Sequence, residues 1–89
     1  PTYSKYIQNY DHADYRHRYM SIVGLAAEAG ELLALVQKGQ RNCKEIPREK
    51  VLDELGDVFW YMNYVMDSYA ISYDELSDYN KKKLDDRNK

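Results

Sequence analysis

Along most of the chain, apolar and polar positions return every three or four residues, the period of a helix rather than the alternation of a strand. From Thr2 to about Tyr19 the returning positions are Tyr3, Tyr6, Ile7, Tyr10, Ala13 and His17, which predicts a helix with an aromatic stripe. A second helix is expected from about Ser21 to Lys38. Wound at about 100° per residue, Ile22, Leu25, Ala29, Leu32, Leu33 and Val36 fall on one arc beside Glu28, which predicts a core face. Gly39 follows and suits the left-handed backbone that closes a helix, and the residues through Ile46 read as a polar connection. Pro47 fits the first turn of a third helix, where its missing amide proton does no harm, and Glu49 adds negative charge near that N-terminus. This helix continues to about Tyr69, with Val51, Leu55, Val58, Phe59 and Met62 on its apolar arc. Gly56 inside it either weakens the helix or lets a neighbour approach closely. Ser72 with Glu75 is a capping-box pattern and starts a fourth helix from Tyr73 to about Asp86. The expected fold is all-α, a compact four-helix domain spanning residues 1–89.

Composition adds a constraint. A chain of 89 residues suits one core and buries a modest fraction of its surface, so a helical protein of this size gains from a partner subunit. Ten tyrosines stand against one phenylalanine, a mixture that suits wet pockets and interfaces better than a dry centre. The formal charge is only −2, with the basic residues dispersed, which argues against a nucleic-acid polymer as partner. The run Lys81-Lys82-Lys83 reads mostly as solvated surface. Cys43 is the only cysteine and has no intrachain disulfide partner, so a reducing, cytoplasmic setting is expected. No continuous apolar span of membrane length and no secretory leader is recognised, so no membrane partner is expected.

The acidic residues carry the chemistry. Glu28 and Glu31 are three residues apart, as are Glu54 and Asp57, so each pair projects from one side of its helix about a turn apart. Each pair borders an apolar arc, whereas ordinary solvated charges project away from it. Two facing helices would bring four carboxylates together, and their repulsion and lost hydration call for a cation. All-oxygen donors favour magnesium, with manganese also compatible. His12 and His17 do not follow a glutamate by three residues, as a di-iron bundle would require, and with Cys43 they form no compact zinc motif. Asp53 points a quarter turn from Glu54 and ranks below it. Lys50, one turn before Glu54, is a candidate ion-pair partner for it. Tyr61 is nearly in line with Glu54 and is a candidate hydrogen-bond donor at the site, whereas Trp60 points elsewhere. Lys38, with Arg41 and Lys44, is a candidate positive entrance, though solvating a connection is the simpler role.

The run Gly24-Leu25-Ala26-Ala27-Glu28-Ala29-Gly30-Glu31, followed by Asp53-Glu54-Leu55-Gly56-Asp57-Val58-Phe59-Trp60-Tyr61, resembles the MazG-like, all-α nucleoside triphosphate pyrophosphohydrolases. The similarity extends through Ile71-Ser72 and Asn80 to Lys83-Leu84 and Arg87. It implies hydrolysis of a nucleoside triphosphate, deoxynucleoside triphosphates included, to monophosphate and pyrophosphate. Glu28, Glu31, Glu54 and Asp57 match the metal-binding, catalytic carboxylates. Asn80 and Lys83 match substrate-contacting positions, with Lys83 a phosphate ligand and Arg87 a weaker one. A homodimer or homotetramer is also implied, and the first helix is expected to contribute to a base pocket. Ala27 stands where Gly or Glu is frequent, which leaves the four carboxylates untouched. Two alternatives stay open: a phosphoribosyl-ATP pyrophosphohydrolase, and a non-catalytic, metal-stabilised helical oligomer that binds nucleotides or protein.

Overall fold

The computed structural model describes residues 15–88. Those residues form three helices and no strand: α1 is Tyr15–Arg41, α2 is Arg48–Ser68 and α3 is Tyr73–Arg87. Most of the helix expected over Thr2–Tyr19 lies outside the described residues. Where it is described, the expected break before Ser21 is absent, and α1 runs through Tyr19–Ser21 without interruption. The reason is local. The Ser21 hydroxyl donates to the Arg18 carbonyl at 2.8 Å, a bond within the helix rather than the N-cap that would start a new one.

The helix ends correct the expected punctuation. Gly39 is helical, and the left-handed residue is Cys43 at φ 53°. Lys44 N–H donates to Gly39 O at 2.9 Å and Cys43 N–H to Gln40 O at 3.2 Å, the pair of bonds that defines a Schellman cap. Gly39 serves packing instead: a Cβ there would stand 2.5 Å from Ile46 Cδ1 and 2.9 Å from Lys44 O. The end of α2 repeats the device. Ala70 sits at φ 55°, Ile71 N–H reaches Met66 O at 2.8 Å, and Ala70 N–H reaches Asp67 O at 3.1 Å. Pro47 lies one position earlier than expected, as the N-cap residue of α2, and its carbonyl accepts from Lys50 and Val51. Ser72 caps α3 as its spacing predicts, its Oγ accepting from Glu75 N–H at 3.0 Å.

α1 and α2 pack side by side. Gly24 lies against Tyr61, Gly39 against Ile46, and Arg18 reaches Ser68, so the two helices run antiparallel. The covered side of α1 is Ser21, Gly24, Leu25, Glu28, Leu32, Leu35 and Gly39. Ser21, Glu28 and Leu35 recur at seven, as do Leu25, Leu32 and Gly39. On α2, Val51, Val58 and Val65 recur in the same way, as do Glu54, Tyr61 and Ser68. Seven-residue recurrence is what two helices need to stay in contact over several turns. The expected core arc is therefore only half right. Leu25, Leu32, Val51, Val58 and Met62 are covered, whereas Ile22, Ala29, Leu33, Val36, Leu55 and Phe59 are exposed.

Among the described residues, Met66 is the one buried large apolar side chain, at 7% exposure. α3 buries none of its residues and does not pack along α1 or α2. Gly56, a candidate for close approach, has nothing within 4 Å of a Cβ placed on it. The expectation about membrane-length spans also needs correction, because His17–Arg41 reaches a mean hydropathy of 1.5 over a length that could cross a bilayer. Helices packed against protein pass the same test. Glu28 and Glu31 sit near the middle of this segment, where an ionisable group in a bilayer would cost roughly 3 kcal/mol, and α2 covers Glu28 instead.

Candidate metal centre

Midway along the α1–α2 seam, Glu28 faces Glu54 and Asp57, and one carboxylate oxygen from each lies within 4.8 Å of the others. Glu28 and Glu54 are half-buried and Asp57 is exposed, which makes a charged recess open on one side. Two features bring it about. The seven-residue stripe of α1 places Glu28 between Ser21 and Leu35, directly on the contact line. One turn away, Gly24 has no Cβ, and the Tyr61 ring lies where a Cβ would stand, so the backbones draw together there.

The electrostatics are those of crowded negative charge. Burial of Glu28 lifts its carboxyl above the ordinary value of 4.5, and the negative charges of Asp57, Glu54 and Glu31 lift it further, in that order. Among the described residues no lysine or arginine forms an ion pair with Glu28, Glu54 or Asp57, and Lys50 makes none with Glu54. Three carboxylates within reach of one ion are a chemically reasonable donor set for a hard divalent cation. The recess therefore passes a test of fit for such an ion.

The remaining candidates divide. Glu31 is exposed and outside the three-residue group, although its charge is felt at Glu28. Asp53 is exposed. Tyr61 is half-buried, one turn beyond Asp57 and against Gly24. Lys38 is exposed near the far end of α1, with Arg41 beyond it. Asn80, Lys83 and Arg87 are exposed on α3, and among the described residues α3 is not packed along the carboxylate-bearing helices. Lys83 instead lines a shallow depression with Tyr79, Lys82 and Asp86. His17 is half-buried on α1, and His12 lies outside the described residues.

Sequence reasoning missed two parts of this region. Arg18 ties the start of α1 to the end of α2: its Nε donates to Ser68 O at 3.0 Å, and its guanidinium lies 4.9 Å from the centre of the Tyr69 ring. Met20, Ser21, Trp60, Tyr61 and Tyr64 line a recess of about 270 Å³ on the same pair of helices. The signal for it was available. Trp60 and Tyr64 are one turn apart, and their rings meet edge to face at 6.5 Å.

Comparison with curated proteins gave no match, and comparison with solved structures gave none. The family model for the MazG nucleotide pyrophosphohydrolase domain does match, over residues 18–89. That stretch carries Glu28, Glu54 and Asp57, α1 from Arg18 onward, and all of α2 and α3, and by this match the chain belongs to the MazG nucleotide pyrophosphohydrolase family.

Proposed function

We propose that this protein hydrolyses nucleoside triphosphates, deoxynucleoside triphosphates included, to the monophosphate and pyrophosphate, with magnesium held by Glu28, Glu54 and Asp57. The observation that carries the reading is the convergence of those three carboxylates, from two helices, in the middle of a packed seam. A half-buried acidic cluster without cations is costly to fold, and its retention is accounted for by a bound ion. Bound there, magnesium would neutralise triphosphate charge and favour attack by water at the phosphorus nearest the nucleoside. Glu31, beside the cluster, adds negative charge that strengthens the hold on a cation and is a further candidate ligand. Tyr61, fixed against Gly24, is oriented by packing rather than by solvent, and its phenol is a candidate donor toward the substrate. Lys83, with Asn80 and Arg87, is proposed to bind phosphate oxygens, and Lys38 to line the approach.

The working unit is proposed to be a homodimer or homotetramer. Leu33 is 57% exposed and Val36 48%, and Leu55 and Phe59 of α2 are also open. That is more apolar surface than a small domain leaves in water without a covering partner. Packing between copies would cover it and would offer α3, with its lysines, a place against a neighbouring carboxylate recess. Residues 1–89 are taken as one domain in this reading.

Product analysis over a panel of nucleoside triphosphates with magnesium tests the proposal, with Glu54→Gln as control and particle size measured alongside. Monophosphate plus pyrophosphate from the intact protein, lost in the variant, is the expected result. Inorganic phosphate without pyrophosphate, or no turnover by a folded oligomer across the panel, would reject it. Turnover confined to phosphoribosyl-ATP would narrow the substrate to that one.

A further inference from the structure

α1 supplies to the end of α2 what α2 itself lacks. The last carbonyls of a helix have no donor inside it and form the negative end of its dipole, which a nearby cation stabilises. α2 has no basic residue in its last turn. The backbone N–H groups that follow it serve three carbonyls: Tyr69 donates to Val65 O and Met66 O, Ile71 to Met66 O, and Ala70 to Asp67 O. Ser68 O is met from the other helix. The Arg18 Nε donates to it at 3.0 Å, and the guanidinium lies 4.9 Å from the ring centre of Tyr69, the C-cap residue of α2. Arg18 thus brings both a donor and a cation to this helix end.

The same bond limits how far α1 slides along α2. Leucines and valines recurring at seven make contacts without direction, whereas a hydrogen bond weakens steeply off its line. Ser21 and Ser68 are buried at this end, 2% and 4% exposed, but each hydroxyl donates inside its own helix, to Arg18 O and Val65 O, both at 2.8 Å. Their protons do not tie the helices together, and the Arg18 Nε does. At the opposite end the chain itself closes the seam, with Gly39 against Ile46. The carboxylates lie between. Glu28 is ten residues after Arg18, and Asp57 and Glu54 are eleven and fourteen before Ser68. Measured from the Arg18–Ser68 bond at ~1.5 Å per residue, Glu28 stands about 15 Å along the seam, Asp57 about 16 Å and Glu54 about 21 Å, level to within about one helical turn.

We propose that Arg18 is a positioning residue for the carboxylate cluster: its bond to Ser68 O and its contact with the Tyr69 ring hold α1 in axial register with α2, so that Glu28 stays opposite Glu54 and Asp57. It acts through the two helix backbones, at a distance from the cluster. The assignment takes the use of the cluster, metal binding, from the proposed function, and the register from the geometry alone. Removing the clamp loosens the donor set without removing a donor, and loss of a group that supports a ligand lowers metal affinity by about 10–100-fold.

Mn2+ binding to the full-length protein is measured by loss of the free-ion electron paramagnetic resonance signal, well below the melting temperature of every variant. Arg18→Ala should raise the Kd about tenfold or more. Tyr69→Leu, which keeps the bond to Ser68 O and loses the ring, should raise it about two- to fivefold. Ser72→Ala is the stability control: it removes the cap of α3, which packs along neither α1 nor α2, and should lower the melting temperature with Kd unchanged. Register is also read without metal. The α-protons of Gly24 face the Tyr61 ring, so the ring current displaces their NMR shift; the displacement should shrink in Arg18→Ala and persist in Ser72→Ala. If the wild type binds Mn2+, an unchanged Kd or an unchanged Gly24 shift in Arg18→Ala overturns the assignment and leaves the hydrolase reading standing, and equal weakening in Ser72→Ala overturns it too. Should Arg18→Ala not fold, Tyr69→Leu with both readings unchanged overturns it. If the wild type binds no Mn2+, the metal reading fails, and the Gly24 shift alone decides whether the register stands.

Discussion

α1 presents two sides that differ against intuition. The side packed on α2 carries Ser21, Gly24, Glu28 and Gly39 among its leucines, whereas the side left open carries Ile22, Val23, Leu33 and Val36. In a self-sufficient small domain the more apolar side would be the buried one. Here the covered side contains the small residues that let two helices approach and the Glu28 carboxylate, which faces Glu54 and Asp57. The open side contains what a larger interface would cover. The intrachain seam thus frames the acidic cluster, and the proposed homo-oligomer would cover the open apolar side.

The largest effect expected from breaking this contrast is on the covered side. Glu28→Gln removes a proposed metal ligand, and turnover should fall by roughly 100-fold or more, since even groups supporting a ligand are worth 10–100-fold. Stability should move the other way in the absence of metal. The Glu28 carboxyl is raised by burial and by Asp57, Glu54 and Glu31, so the folded chain holds that proton more tightly than the unfolded one. Stability of the metal-free wild type should therefore fall as pH rises from 4.5 through the raised folded value. Glu28→Gln should lack this contribution and melt higher above that window, while added magnesium should stabilise the wild type more than the variant. A variant that melts lower than the metal-free wild type near neutral pH would contradict the charge-repulsion account.

On the open side, Leu33→Asp with Val36→Asp should leave the α1–α2 seam in place but break association between copies. Sedimentation should show a smaller particle, with helical content largely retained at high protein concentration. If the particle size is unchanged, this side is not the interface. Gly24→Ala tests the seam where it is tightest. A methyl group there meets the Tyr61 ring, and overpacking of this kind costs typically 1–3 kcal/mol. Thermal melts should show that loss, with weaker magnesium binding because the two carboxylate-bearing helices are pushed apart. Gly56→Ala, by contrast, meets nothing within 4 Å in the chain; a loss of assembly without loss of helix would locate that glycine at the interface between copies.

Much of this was legible in the sequence because it is local. Ser72 with Glu75 predicts a cap, and the Ser72 Oγ accepts from Glu75 N–H as that spacing requires; three-residue spacing also predicts the acidic pairs, of which Glu28, Glu54 and Asp57 converge while Glu31 stays exposed. Whether a pair lies at the rim or the centre of a seam is not local. Ile22, Leu33 and Val36 outweigh Gly24 and Gly39 in any apolar arc, so the pattern centres the arc too far round α1 and puts Glu28 at its edge, whereas those three are exposed and Glu28 is half-buried. The glycines are not local either: Gly56 interrupts α2 yet meets nothing within 4 Å, while Gly24 and Gly39 are the two that meet a neighbouring side chain. The break expected before Ser21 failed because a serine can bond back into its own helix as readily as it can start one.

The smallest effect concerns the two helix ends, where the seam's length is set. Cys43 and Ala70 both adopt left-handed backbone, at φ 53° and 55°, a conformation that costs a residue with a Cβ roughly 1–2 kcal/mol. Glycine avoids that strain but loses more freedom on folding, by about 0.5–1 kcal/mol. The net gain from Ala70→Gly should therefore be small and positive, roughly 0.5–1 kcal/mol by the difference of those two costs. Cys43→Gly should gain a similar amount, and the pair should add, because the two caps lie at the ends of different helices. Chemical denaturation midpoints should rise with an unchanged slope. Loss of stability in either variant would mean that the side chain makes a contact worth more than the strain, which at Ala70 would have to involve the cavity shared with Met66 and Ile71.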